Sequence, residues 1–302
     1  MRNEFCEAMV QRASDPDFVF LTGDLGFMAL EPLQKAAGAR FINAGVAEQN
    51  MVSVAAGLAS QGLKPWAYSI APFIYARPLE QVRNDVCLHD LPVTLVGNGG
   101  GYAYGVMGGT HHAIEDYGIL LSLLHMNVYV PAFGADVAPA VERILRSGHP
   151  AYLRLGRDEK SKEADPGPYA PWRKVLSGAG PAVAVVGPIA GTLMKDFAGL
   201  ENAKRPNLWV LTELPLDEKT VPAQFLKDLE TSGHLVVVEE HVAHGGAGEM
   251  IGRFLLLSGR APKKFSHFCA QGYLSGYYGS QGFHRKECGL TSENILKVTG
   301  LA

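Results

Sequence analysis

Short apolar runs alternate with helical stretches between residues 18 and 155, and this spacing constrains the fold of the 302-residue chain more than any other feature. The runs lie at 18–21, 41–43, 64–68, 92–96, 128–130 and 151–155. Helical patterns occupy 2–13, 48–60, 73–88, 113–124 and 135–146. Strands alternating with helices of this length predict a mainly parallel sheet covered on both faces. Ligands of such sheets bind outside the carboxyl ends of the strands. The loops to inspect are therefore 22–28, 43–48, 69–73 and 97–112.

Composition shifts at 157–173, RDEKSKEADPGPYAPWR, which is charged and then proline-rich without apolar periodicity. Alternation resumes at 182–186, 208–211 and 234–239, with helices near 246–257 and after Thr291. The expectation is a two-domain α/β chain: 1–160, a linker at 161–178, and 179–302. A formal net charge of −3 offers no electrostatic case for nucleic acid or an anionic membrane surface. The four cysteines have no CxxC spacing, which fits a reducing compartment. No apolar run is long enough to span a membrane, and the opening MRNEFCEAMV does not read as a signal peptide. A soluble, cytoplasmic protein is expected.

Three segments and an arginine pair could carry chemistry. In 41–50, FINAGVAEQN, a short strand ends in Ala-Gly and Glu48 enters the first turn of the next helix. The helix dipole alone accounts for an acid there. The apolar face that follows, Met51, Val54, Ala55 and Leu58, would also draw Glu48 inward, where a carboxyl can hold or donate a proton. Segment 97–112 holds seven glycines in thirteen residues before Thr110-His111-His112, and it matches no nucleotide fingerprint. Adjacent histidines on a helix project about 100° apart and do not naturally chelate one metal. Either histidine could be a surface or capping group, or a proton donor at the lip of a flexible loop. In 68–75 the aromatics could stack on a ligand or simply fill the core. Arg154 and Arg157 could grip an anion or bridge the two domains.

Taken together, the order and spacing of these segments resemble the C-terminal half of transketolase, a pyrimidine-binding domain followed by the transketolase C-terminal domain. The blocks that carry the resemblance are Gly23-Asp24-Leu25, Asn43 to Asn50, Glu80-Gln81-Val82-Arg83-Asn84-Asp85, the run from Gly109 to Asp116, and Glu239-Glu240-His241 with Gly245-Gly246-Ala247-Gly248. The resemblance implies thiamine diphosphate as cofactor. It makes Glu48 the catalytic glutamate that hydrogen-bonds the aminopyrimidine, Phe73 the aromatic stacked on that ring, and Asp24 and Ile70 further cofactor contacts. His111 becomes the substrate-facing histidine and Arg157 the arginine for a sugar phosphate. The diphosphate-binding half, with its magnesium motif GDG…N, does not occur in this sequence. The resemblance therefore implies a split enzyme: a partner subunit supplies the Mg²⁺ ligands, this chain supplies none, and two copies of each chain assemble.

Departures from the family pattern bear on the substrate. Met107 stands where an aspartate reads substrate hydroxyls, Gly99 where a substrate-site histidine lies, and Met28 near a phosphate-binding serine. Ile70 replaces a second phenylalanine. Transfer of a two-carbon ketol unit between sugar-like substrates, with altered specificity, is what the resemblance implies. The alternatives are the beta chain of a 2-oxoacid dehydrogenase and a noncatalytic paralogue.

Overall fold

The computed structural model describes residues 1–161 and 164–301. Among these, twelve strands form two sheets. The strands are β1 (Phe18–Thr22), β2 (Phe41–Asn43), β3 (Lys64–Ile70), β4 (Thr94–Asn98), β5 (Asn127–Tyr129), β6 (Ala151–Leu155), β7 (Trp172–Leu176), β8 (Ala182–Val186), β9 (Asn207–Leu211), β10 (Glu213–Leu214), β11 (His234–Glu239) and β12 (Lys264–Phe268). The first sheet runs β10-β5-β6-β4-β3-β1-β2 and is parallel except for β10. The second runs β12-β11-β8-β9-β7 and is parallel except for β7. Both are the helix-covered sheets that continuous apolar strands such as Phe18–Thr22 require, since all five of its residues are buried.

Strand register places the site. Thr22 pairs with Asn43 and Tyr68, Ile70 with Asn98, and Asn98 with Leu155. The loops after β1, β2, β3, β4 and β6 therefore leave the sheet along one rim. The helix Glu48–Ser60 spans the residues its pattern predicts and buries Met51, Val52, Ala55, Ala56 and Ala59. The alanines among them let its backbone approach the sheet closely.

Three expectations need correction. The stretch 73–88 is not one helix: Pro78, which lacks an N–H to continue the ladder, separates Ala71–Tyr75 from Leu79–Gln81 and a π-helical Val82–Cys87. The helix expected at 113–124 shrinks to Asp116–Leu121, because Ala113 bridges to Gly101 and its carbonyl accepts from Arg154. The linker at 161–178 contains β7, an edge strand of the second sheet; Lys162 and Glu163 lie outside the described residues. Its charged residues suggested a solvated linker, yet Arg173 pairs with Asp136 at 2.7 Å and Lys174 with Asp228 at 2.8 Å. These partners lie far off in sequence.

The two halves share one core, in which Leu95, Tyr117 and Tyr152 join Trp209, Ala247 and Ile251. The Glu239-Glu240-His241 block sits at this junction. Glu239 accepts from Ala247 N–H (2.8 Å), Gly248 N–H (2.9 Å), His267 (2.7 Å) and the Tyr117 hydroxyl. Burial pushes its carboxyl up, but the bonds from His267 and Tyr117 outweigh that and hold it below the usual carboxylate range. His241 stacks on Tyr117 at 3.7 Å, accepts from Gly118 N–H and donates to Val242 C=O. His112 donates to Gly105 C=O (2.8 Å) and accepts from the Tyr273 hydroxyl (3.0 Å). Each ring is a neutral tautomer with both nitrogens used.

Burial holds both histidines below the ordinary 6.5, since an imidazolium would be poorly solvated there. The folded state then binds fewer protons than the unfolded chain. Stability is fully present above about 6.5 and falls as pH drops toward the folded-state values. The melting midpoint is expected to be flat above about pH 7 and to decline in the acid window below 6.5. A midpoint that stays constant across that window would contradict this assignment. Among the described residues no helix is long and apolar enough to cross a membrane.

Candidate active site

Glu48 opens its helix just beyond the loop after β2. Gly45, at φ 69°, turns that loop, and its N–H donates to Asn43 Oδ1 at 2.9 Å. The Glu48 side chain is only 6% exposed, and Arg77 Nη1 donates to both its oxygens at 3.0 Å. The same guanidinium lies 3.9 Å over the Phe73 ring. Phe73 is half-buried, on the short helix after β3, and meets the His111 ring edge-on at 5.2 Å. His111 also lies 5.8 Å from Tyr104, which Asn98 holds through a 2.9 Å hydrogen bond. The structure thus brings Glu48, Phe73 and His111 into one chain of contacts around a planar cation. An open groove of about 530 Å³ is lined by Val46 to Asn50 and Arg77.

Arg77 was missed by sequence reasoning. Its signal is the lone charge in the otherwise apolar stretch 71–79, four residues after Phe73 and just past the end of that short helix. Its side chain is 45% exposed, so it can swing clear. Arg77 gives the buried Glu48 carboxylate a charged partner that faces solvent.

The other expected residues lie around this cluster without joining it. Asp24 is exposed on the loop after β1, and Asn43 Nδ2 approaches it at 3.4 Å. Ile70 ends β3, half-buried. Arg157 is exposed beyond β6 and lines a small cavity with Gly100, Glu240 and Gln281. Arg154, the other arginine considered for an anion, is buried instead. It donates to Asp116 (2.7 Å), Ala113 C=O (2.8 Å) and Glu240 C=O (2.9 Å), which is the interdomain bridge. Thr22 Oγ1 and Ser69 Oγ, at the ends of β1 and β3, are buried with no partner among the described residues.

The positions that depart from the family pattern have local causes. Gly99 has φ 81°, and a Cβ there would lie 2.1 Å from the Tyr104 ring, so no histidine fits on this backbone. Met28, 90% exposed, takes φ 62°, a region few non-glycine residues adopt. Met107 is exposed on a 3₁₀ turn.

A carboxylate, an aromatic wall and an imidazole gathered at the carboxyl rim of a parallel sheet are the features of an α/β ligand-binding class of site. Residues 2–161, over half of the chain, match the family described as "Transketolase, pyrimidine binding domain", and the chain belongs to that family. It is 28% identical over 262 residues to a subunit of the apulose-4-phosphate transketolase of Phocaeicola vulgatus, covering 83% of this chain and 81% of that one. It is likewise 28% identical over 306 residues to the 6-deoxy-6-sulfo-D-fructose transketolase subunit SqwH of a Clostridium species, covering 99% and 92%. A split-gene transketolase solved as an inactive beta4 tetramer superposes with a TM-score of 0.81 at 26% identity, covering 99% of this chain and 96% of that chain.

Proposed function

We propose that this chain is the pyrimidine-binding subunit of a two-chain, thiamine-diphosphate-dependent enzyme that transfers a two-carbon ketol unit between sugar-like substrates. One observation carries the reading. A planar, hydrogen-bond-donating group stacks on Phe73 while it bonds Glu48. An aminopyrimidine ring needs both contacts, and the Arg77 guanidinium makes them here. The residues therefore fit the cofactor once Arg77 swings aside. Bound thiamine diphosphate supplies an electron sink for cleaving a carbon–carbon bond beside a carbonyl. Glu48 Oε holds the proton shared with the pyrimidine nitrogen, and its burial keeps water from competing for that bond. Phe73 and Ile70 wall the ring, with Asp24 at its margin. His111, fixed by Phe73 and Tyr104, is the proton donor or hydroxyl contact toward substrate, and Arg157 anchors an anionic group.

Relatives named as subunits, and a relative described as inactive when assembled from beta chains, support dependence on a diphosphate-binding partner. So do the exposed apolar tips Phe27, Met28, Val46, Val106 and Met107, all on loops of the site rim. That partner would hold Mg²⁺, and two copies of each chain is the expected assembly. A cytoplasmic location fits the same reading.

Reconstitution tests it. The chain alone, with thiamine diphosphate and Mg²⁺, should not turn over; with its partner it should. Because Met28, Gly99 and Met107 offer no polar groups, xylulose 5-phosphate and ribose 5-phosphate should be poor substrates, with kcat/KM below about 10⁴ M⁻¹s⁻¹. Turnover by the lone chain would overturn the split assembly. Ordinary rates on the pentose phosphates would show that other groups replace the missing contacts.

A further inference from the structure

At the opposite end of the first sheet, away from the site rim, three loops converge. Thr94 and Asn127 both pair with Ala151, so β4, β5 and β6 start level with one another. The residues just ahead of these starts are Asp90, His125 and His149. Their donor atoms all lie within 4.8 Å of one another. His149 Nδ1 is 2.8 and 3.0 Å from the two Asp90 oxygens, and His125 Nδ1 is 3.8 Å from Asp90 Oδ2. The imidazoles lie nearly parallel, at 11°, with centroids 6.3 Å apart.

The geometry points to a divalent transition-metal site of the zinc type, with His125 Nδ1, His149 Nδ1 and an Asp90 carboxylate oxygen as ligands. Bonds of about 2.0–2.2 Å to a tetrahedral ion place neighbouring donors roughly 3.3 Å apart. The two histidine–aspartate separations, 2.8 and 3.8 Å, bracket that value, and all three donors lie within 4.8 Å, so side-chain rotations about the existing backbone bring them onto one ion. The backbone beneath is already set. Asn127 N–H donates to Pro150 C=O and Ala151 N–H to Val93 C=O, which tie the three loops together. Asn127 Nδ2 also donates to His125 C=O at 3.1 Å. All three side chains reach solvent, which leaves an access path and room for water as a fourth ligand.

Two imidazoles with one carboxylate suit Zn²⁺, Co²⁺ or Ni²⁺, whereas Mg²⁺ and Ca²⁺ require an oxygen shell. Bound there, the ion would staple three strand starts that are far apart in sequence. It would raise stability by mass action without touching the site rim. This inference does not depend on the proposed function.

Titration of the untagged full chain with Zn²⁺ by calorimetry should show one ion bound per chain, and the melting midpoint should rise with added Zn²⁺. Co²⁺ should develop the visible absorption of a tetrahedral N/O site. His149→Ala and Asp90→Asn should each weaken binding by more than about tenfold and abolish the stabilisation. His244→Ala, which removes an exposed histidine elsewhere, should change neither. The positions are on the surface, so the variants should fold, and a circular dichroism spectrum checks this. Undetectable Zn²⁺ binding by the wild-type chain would overturn the proposal, as would equal affinity in a His125→Ala/His149→Ala variant.

Discussion

Glu48→Gln is expected to slow the reconstituted enzyme by about 10²–10⁴-fold while leaving the fold intact. Glutamine keeps the length and one hydrogen bond of the glutamate but can neither hold the proton nor carry the charge. Arg77, the observed partner, is 45% exposed and falls back on water, so stability should change little. Cofactor binding should weaken modestly, since Phe73 and the partner subunit still contribute. The direct readout is hydrogen–deuterium exchange at the thiazolium carbon of bound thiamine diphosphate. A loss of turnover with unchanged exchange would move Glu48 out of the proton path and into substrate binding. Unchanged turnover would remove it from the mechanism.

Arg154→Met should destabilise the chain by about 3–5 kcal/mol, lowering the melting midpoint by on the order of 10 °C. The Arg154–Asp116 pair is almost wholly buried, and the guanidinium also serves the carbonyls of Ala113 and Glu240 across the domain junction. Removing it strands a carboxylate whose one remaining side-chain partner among the described residues is the Tyr152 hydroxyl at 2.9 Å. The burial of two charges costs nearly as much as their attraction returns, so removing both should be milder than removing either. Arg154→Met combined with Asp116→Leu should therefore recover part of the loss. A single-variant cost below about 1 kcal/mol, the level of a surface pair, would show that water reaches the bridge.

Much of the fold was legible in the sequence because the parallel strands are buried on both faces and read as apolar runs. The helix Glu48–Ser60 was legible to the residue, and the loop ends of β1 to β4 and β6 follow from strand alternation alone. Glu48 could be picked out because an acid opening an apolar helix is a local pattern; the aromatics of 68–75 and the histidine pair 111–112 were legible only as segments, and the resemblance to transketolase singled out Phe73 and His111 within them. Residues 172–176 were hidden for the opposite reason. A charged edge strand resembles a linker until Asp136 and Asp228 are seen to neutralise it.

What the sequence by itself determined is the class of fold, the sheet rim where the candidate site lies and the residue types that reach it. All three depend on patterns that repeat within a few residues. Tertiary structure alone decided which arginine does what: Arg77 on Glu48 and Phe73, Arg154 sealed into the domain junction, Arg157 left in solvent. It also separated His111, facing the site, from His112, locked between Gly105 and Tyr273. And it gathered Asp90, His125 and His149 beneath one sheet. The physical reason is the same in each case. A charged or titratable side chain takes its role from the partner that compensates its desolvation, and here many of those partners lie tens of residues away along the chain.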